Sequence, residues 1–242
     1  MISAHADGNE ARLAQLAANL AAVRARIEAA CDDAGRPAGE VRLIAVTKTF
    51  PVSDVALLNQ LGLADFGENK DQEAAPKAAE AAAEGLRLRW HFVGQLQVNK
   101  AGSVATYADV VHSVDRVRLV RALGRRATAA GRSIGCLVQV SLDGAAGRGG
   151  ANPQEVLGLA GAIAAEPSLV LGGVMAIAPL GAPARSAYAR LREIAESVRA
   201  EYPSATAISA GMSDDLDEAI AEGATHVRIG TALLGGRRAF VR

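Results

Sequence analysis

A chain of 242 residues that is 50% hydrophobic can bury a large core, either as one barrel-type domain or as two smaller ones. Its 26 Lys and Arg residues balance its 26 Asp and Glu residues, so its charge favours neither nucleic acid nor an anionic membrane as a partner. The sequence has no apolar run of membrane-spanning length and no signal-peptide pattern, and Cys31 and Cys136 lack metal-ligand spacing. We therefore expect a cytoplasmic protein with reduced cysteines.

The first predicted element is a long amphipathic helix over residues 9–34. Apolar residues recur there at intervals of three and four, and Gly35 and Pro37 end the pattern. Its apolar stripe is expected to cover the base of a barrel. No partner chain is then required, and a monomer is the default expectation.

Short apolar runs alternate with helix-like segments along the rest of the chain. The predicted strands are 42–47, 64–66, 88–93, 109–113, 134–141, 169–177, 206–209 and 226–229. The predicted helices are 53–61, 70–84, 97–106, 116–130, 152–165, 183–200 and 214–222, with a final short helix after Gly236. The strand runs are almost continuously apolar, which is typical of parallel sheets that are covered on both faces.

Eight such units in about 200 residues predict a (β/α)8 TIM barrel with the leading helix as an addition. A doubly wound open sheet has the same periodicity, but it usually contains fewer strands, about five to seven. The sequence has no linker, low-complexity tract or break in composition, so we expect a single domain spanning residues 1–242.

Lys48 follows the apolar run of the first predicted strand. The other lysines, Lys70, Lys77 and Lys100, lie in polar surroundings that are typical of helices or loops. Active groups of (β/α)8 barrels lie at the carboxyl ends of the strands. Burial disfavours an ammonium group, and a neutral amine is what Schiff-base chemistry requires. Position alone favours a lysine that extends from the strand end into water.

The loop SAGMSDD (209–215), after the seventh predicted strand, is suited to a phosphate group. Gly211 lets the backbone approach a ligand closely, and Ser213 lies where a helix should begin. Ser213 fits an ordinary N-cap as well, with Asp214 and Asp215 as first-turn acids. Those two acids would oppose a phosphate if they pointed inward.

A second such loop follows the eighth predicted strand. Gly230 and Thr231 offer backbone N–H groups and a hydroxyl at a place where (β/α)8 barrels often bind phosphate. Arg228 lies inside the strand, where an arginine is costly unless it is paired or used. Together the two loops predict that Lys48 is a covalent partner for a phosphorylated carbonyl compound.

Other chemistry has weaker support in the sequence. His5, His91, His112 and His226 are scattered without metal-like spacing, so satisfied or exposed histidines are expected. No GxSxG, Walker A or GxGxxG motif occurs in the required context. The glycine-rich loop 141–150 fits a mobile lid or an ordinary flexible loop.

The motifs of the chain resemble those of the YggS/PROSC family of pyridoxal 5′-phosphate (PLP) homeostasis proteins. The matching segments are AVTKTFP (45–51), FGENKDQE (66–73), WHFVGQLQVNK (90–100), HSVDR (112–116), GVMAIAP (173–179) and SAGMSDDLDEAIAEGATHVRIGTALLG (209–235). They extend from the first predicted strand to the last. The resemblance implies a PLP-binding barrel of fold type III, similar to the N-terminal domain of alanine racemase.

The resemblance also implies roles for individual residues. Lys48 would hold PLP as a Schiff base, and Arg228 would face the pyridine nitrogen. An arginine does not give up its proton to the ring, so PLP would be a poorer electron sink. The other implied contacts are Ser213, Gly230 and Thr231 for the phosphate, with Asn69 and Met175 lining the ring pocket.

Two positions depart from the family pattern. Arg148 stands near a place where the family commonly has a lysine, and Val98 replaces a common serine. Neither belongs to the implied PLP contacts.

Three functions are compatible with these features. The resemblance implies a non-catalytic PLP carrier or regulator, with PLP-dependent apo-enzymes as candidate recipients. A PLP-dependent amino-acid racemase is the main alternative, but it needs an acid or base on each face of the substrate. Tyr107, Tyr188 and Tyr202 all lie in or at the ends of predicted helices, away from the strand ends. The third function is an aldolase that uses Lys48 without PLP.

Overall fold

The computed structural model describes residues 2–144, 149–179 and 181–236, with side chains from residue 8 onward. The strands are Arg42–Val46 (β1), Asp65–Glu68 (β2), Arg89–Phe92 (β3), Val110–Val114 (β4), Ile134–Gln139 (β5), Leu169–Met175 (β6), Ala207–Ser209 (β7) and His226–Ile229 (β8). The α-helices in these ranges are Ile2–Asp33 (α1), Val52–Gln60 (α2), Asp71–Ala83 (α3), Ala101–Tyr107 (α4), Val117–Ala129 (α5), Val156–Ala164 (α6), Ala184–Glu201 (α7), Leu216–Ala221 (α8) and Thr231–Leu234 (α9).

The eight strands are parallel and form a closed barrel in chain order. The barrel closes between β1 and β8, where Ile44 lies opposite Arg228. The prediction of a (β/α)8 barrel with an added N-terminal helix is thereby confirmed, and the open-sheet alternative is wrong. The carboxyl ends of all eight strands, and the loops that follow them, meet at one rim.

The strands are buried on both faces, which explains why their apolar runs are nearly continuous. Outward-facing residues such as Phe66 and Trp90 pack against the helices. A small cluster inside the barrel contains Val110, Leu137 and Met175. The barrel interior also contains several polar side chains, described below.

Helix α1 lies in the outer layer of helices, so the prediction that it covers the base of the barrel is wrong. Its apolar stripe, which includes Leu16, Leu20 and Val23, packs against α2, α8 and α9. The reason is that α9, the helix after β8, has only four residues and leaves the outside of the β8–β1 junction uncovered. The long leading helix fills that space.

Two boundaries at the ends of the chain differ from the prediction. Helix α1 begins at Ile2 rather than at residue 9, and the last described helix, Thr231–Leu234, lies before Gly236. The helix predicted after Gly236 falls on residues 237–242, outside the described residues, as does Arg148. None of the helices in the described ranges is long and apolar enough to cross a membrane.

Candidate functional site

A cavity of about 470 Å³ opens at the carboxyl ends of the strands. Six of the seven predicted site residues line it: Lys48, Asn69, Ser213, Arg228, Gly230 and Thr231. Met175 is not among the lining residues, because its fully buried side chain packs inside the barrel against Val110 and Leu137. The barrel thus joins, in one pocket, residues from the loops after β1, β2 and β7 and from the end of β8.

Lys48 lies directly after β1, half-buried in the cavity wall. Within the described residues its amine takes part in no hydrogen bond or ion pair. The next residue, Thr49, has a φ of 69°, a left-handed conformation that is uncommon outside glycine. The Thr49 backbone N–H donates a hydrogen bond to Glu73 at 3.2 Å, which ties this tight turn to α3.

A buried ion pair supports the residue before Lys48. The Nζ of Lys77 pairs with Glu68 and donates a hydrogen bond to the Thr47 carbonyl oxygen at 2.8 Å. The Thr47 hydroxyl also donates to Glu68, at 2.7 Å. Burial raises the pKa of Glu68, although the charge of Lys77 opposes that effect. Lys77 lies in a helix with polar partners, as its sequence surroundings predict, but the sequence does not indicate its burial, which arises because α3 turns its side chain towards β2.

The other two lysines are also paired. Lys70 lies 3.9 Å from Glu73, and Lys100 lies 3.7 Å from Asp71. Within the described part of the chain, Lys48 is thus the lysine without a carboxylate partner.

The two loops predicted to hold a phosphate meet at the cavity. The backbone N–H of Ala232 approaches the Ser213 hydroxyl oxygen at 3.4 Å, which joins the start of α9 to the loop after β7. Gly211 in that loop has a φ of 87°, and a Cβ there would meet Ala219 at 2.7 Å, so the close turn requires glycine.

The two acids that follow Ser213, Asp214 and Asp215, differ in their contacts and exposure. The Asp215 carboxylate accepts hydrogen bonds from the Met212 backbone N–H at 2.6 Å and from the Tyr188 hydroxyl at 2.7 Å. It is therefore engaged within the protein. Asp214 is exposed at the edge of the cavity.

Arg228 is a buried cation beside the cavity, with 4% of its surface exposed. It donates hydrogen bonds to the Ser209 hydroxyl at 2.6 Å and to the Ala176 carbonyl oxygen at 3.0 Å. Burial lowers the pKa of its guanidinium group, which still carries its charge at neutral pH. Because a guanidinium group has five N–H donors, these two bonds leave others for a ligand.

The histidines are scattered along the sequence, but the structure brings two of them into contact. His91 and His112 lie inside the barrel with ring nitrogens 2.8 Å apart. Their inward direction could have been read from the strands, where His91 lies between the outward-facing residues Trp90 and Phe92. Their contact could not, because it depends on how the strands close.

The residues of the cavity fit a phosphorylated aldehyde such as PLP. An unpaired amine is available for a carbonyl group, and two loops with hydroxyl and backbone N–H donors are available for a phosphate. A buried guanidinium group is available for a ring acceptor. The volume is within the range of about 300–1,000 Å³ that is usual for small-molecule sites.

Comparison with known proteins agrees with this fit. Residues 13–238 match the family described as alanine racemase, N-terminal domain. The pyridoxal phosphate homeostasis protein of Mycobacterium bovis is 45% identical over 244 residues, which cover 94% of this chain and 95% of that protein. The protein of the same name from Escherichia coli K12 is 39% identical and covers 92% of this chain and 97% of that protein.

Solved structures extend the comparison. PipY of Synechococcus elongatus PCC7942, solved with PLP bound, has a TM-score of 0.80 and 35% identity over 91% of this chain and all of PipY. Alanine racemase from Corynebacterium glutamicum, at 16% identity and a TM-score of 0.63, shares the fold over 91% of this chain and 60% of its own. On the extent of the family match and the identity to these relatives, the chain belongs to the family of pyridoxal phosphate homeostasis proteins, which has the alanine racemase N-terminal domain fold.

Proposed function

We propose that this protein binds PLP through Lys48 and takes part in PLP homeostasis. The observation that carries the proposal is the unpaired amine of Lys48 in one cavity with the paired loops of Ser213 and Thr231. The names of the relatives and the PLP bound to PipY support it. In this assignment Gly230 completes the phosphate loops.

The remaining contacts concern the ring. We assign Arg228 to the pyridine nitrogen and Asn69 to the ring pocket, while Met175 supports the pocket from inside the barrel. Bound PLP supplies an electron sink for reactions at amino-acid carbons. Arg228 would limit that capacity, because it donates a hydrogen bond to the ring nitrogen without releasing a proton.

Among its described lining residues, the cavity also offers few groups for acid–base catalysis. The ionisable side chains there are Lys48, Asp214 and Arg228, of which Arg228 stays protonated, and there is no tyrosine, histidine or cysteine. Two-base racemisation needs a second positioned group on the opposite face of the substrate. We therefore propose a carrier or regulator rather than a racemase.

Absorption spectroscopy tests the proposal directly. Wild-type protein mixed with PLP should show the absorption of a lysine-bound cofactor, and borohydride should fix the cofactor to Lys48. Lys48→Ala should lose both signals, whereas Lys70→Ala, whose side chain is 65% exposed, should keep them. A wild-type protein that does not bind PLP would overturn the proposal. Amino-acid racemisation that depends on Lys48 would favour the racemase.

Three further assignments complete the proposal: a single domain over residues 1–242, a monomer, and a cytoplasmic location. The closed barrel has no open strand edge for another chain, which supports the first two. Cys31 and Cys136 are unpaired and buried, as is common in reducing compartments. Light scattering of the purified protein tests the monomer. Cell fractionation tests the location, and PLP transfer to an added apo-enzyme tests the expected class of recipient.

A further inference from the structure

A line of hydrogen bonds crosses the inside of the barrel and ends at Arg228. The carboxylate of Asp65 lies 2.8 Å from His91 Nε2, and His91 Nδ1 lies 2.8 Å from His112 Nε2. His112 Nδ1 lies 2.9 Å from the Ser209 hydroxyl, which lies 2.6 Å from the Arg228 guanidinium. All five residues are at most 9% exposed and come from five different strands.

With both histidines neutral, the Asp65 end determines the direction of every bond in this line. An ionised carboxylate can only accept, so His91 carries its proton on Nε2, donates it to Asp65 and accepts at Nδ1. His112 then carries its proton on Nε2 and donates it to His91 Nδ1. This leaves His112 Nδ1 as an acceptor, so the Ser209 hydroxyl donates to it and accepts from Arg228, which can only donate.

The electrostatics of the barrel interior agree with this assignment. Burial lowers the pKa of His112 well below its usual value, and the charge of Arg228 adds to that effect. Burial also lowers the pKa of His91, although Asp65 opposes it. For Asp65, burial acts to raise the pKa, but the hydrogen bond from His91 and the charge of Arg42 outweigh it and lower the pKa.

We propose that Asp65, His91, His112 and Ser209 are positioning residues for Arg228. Their one-way line of hydrogen bonds keeps the Ser209 oxygen directed at the guanidinium group. Together with the Ala176 carbonyl oxygen, Ser209 holds two of the Arg228 N–H groups, so that the remaining donors have a defined direction at the cavity. The role of Arg228 at the pyridine nitrogen rests on the proposed function, whereas the direction of the line does not.

The direction can be measured on the full chain without any cofactor. Nitrogen-15 NMR near neutral pH reports which ring nitrogen of each histidine carries the proton. His91 and His112 are both expected to be neutral with the proton on Nε2. A proton on Nδ1 of either residue, or a charged ring, would overturn the proposal.

A pair of serine variants tests the effect on Arg228. Ser209→Ala removes one of the two anchors of Arg228 and leaves His112 Nδ1 without its donor. Ser113→Ala is the matched control, because Ser113 is also fully buried in a strand but its hydroxyl has no hydrogen-bond partner among the described residues. Circular dichroism and unfolding verify that each variant folds.

With PLP, Ser209→Ala is expected to shift the absorption band and weaken binding by about tenfold, the usual effect of losing a hydrogen bond to a charged group. Ser209→Thr keeps the hydroxyl and should recover both properties, and Ser113→Ala should match wild type. If wild type binds PLP and Ser209→Ala behaves like Ser113→Ala, the positioning role is overturned. If wild type binds no PLP, the proposed function fails, and the NMR result still decides the direction of the line.

Discussion

Lys77 and Glu68 form a buried charge pair directly beneath the residue before Lys48. Both side chains are at most 8% exposed, and one Glu68 oxygen, Oε2, is buried without a hydrogen-bond partner in the described residues. A buried ion pair adds little net stability, but removal of one partner leaves a charge that water cannot reach. The pair therefore holds the Thr47 carbonyl group in place, and loss of either partner is expected to destabilise the protein strongly.

Lys77→Met is expected to lower the free energy of unfolding by about 3–5 kcal/mol, since Glu68 then lacks its counter-charge. Urea unfolding measures the change. The double variant Lys77→Met/Glu68→Gln should recover part of the loss. Lys70→Met, which removes an exposed lysine, should cost less than about 1 kcal/mol. Equal losses in the single and double variants would contradict this account of the pair.

Gly94 allows the backbone of Asn69 to reach the cavity wall. A Cβ at residue 94 would lie 2.0 Å from the Asn69 carbonyl oxygen, so Gly94→Ala must displace that backbone. We expect it to weaken PLP binding by at least about tenfold, since small displacements of a site have large effects. Fluorescence titration with PLP measures the affinity. Gly158→Ala in α6, where a Cβ meets no atom within 4 Å, is the control and should leave the affinity unchanged. Wild-type affinity in Gly94→Ala would contradict the expectation.

Helix α1 contacts the Ser213 loop and helix α9, which begins at Thr231. Arg26 donates a hydrogen bond to the Ser213 carbonyl oxygen and pairs with Asp217 at the start of α8. In α9, the Leu233 carbonyl oxygen accepts a hydrogen bond from Asn19 at 2.9 Å. The added helix therefore covers the β8–β1 junction and also supports the site from outside.

Arg26→Ala should weaken PLP binding by about three- to tenfold, because the Ser213 loop loses a charged hydrogen bond. The free energy of unfolding should fall by only about 1 kcal/mol, since the pair with Asp217 is exposed. Arg24→Ala, an exposed arginine of the same helix, serves as the control and should change neither quantity. Equal PLP affinity in the two variants would show that α1 does not support the loop.

The barrel holds three histidines in their neutral form, two of them buried and His226 half-buried. His91, His112 and His226 all have lowered pKa values, with burial as the largest cause in each case. Burial and the positive charge nearby lower the pKa of His226 from 6.5 to about 4. The native state therefore binds protons on these histidines less readily than the unfolded chain does, so the stability of the whole molecule depends on pH.

Stability should fall as the pH drops from 6.5 towards 4. Above pH 6.5 His226 is neutral in both the native and the unfolded state, and its contribution to the free energy of unfolding is at its maximum. Below pH 6.5 the unfolded chain binds a proton on His226, whereas the native state does so only near pH 4. This contribution is on the order of 3 kcal/mol. The raised pKa of Glu68 acts in the opposite direction, so the test compares variants. Urea unfolding of His226→Gln should show a smaller decline than wild type. An identical decline would contradict the assignment.

The sequence alone determined the barrel, the position of Lys48 and the two loops around Ser213 and Gly230. These features are local: an alternation of apolar runs with helical patterns sets the fold, and the carboxyl end of each strand is found by following the chain. Six of the seven predicted site residues consequently line one cavity.

The tertiary structure decided which side chains meet across the barrel. His112 and Ser209 are 97 residues apart in the chain, and no periodicity places their atoms at 2.9 Å. The burial of Lys77, the inward position of Met175 and the location of α1 depend likewise on closure and on the short α9. Local patterns specify which face of an element is buried, but its partner on that face is set by the packing of distant segments.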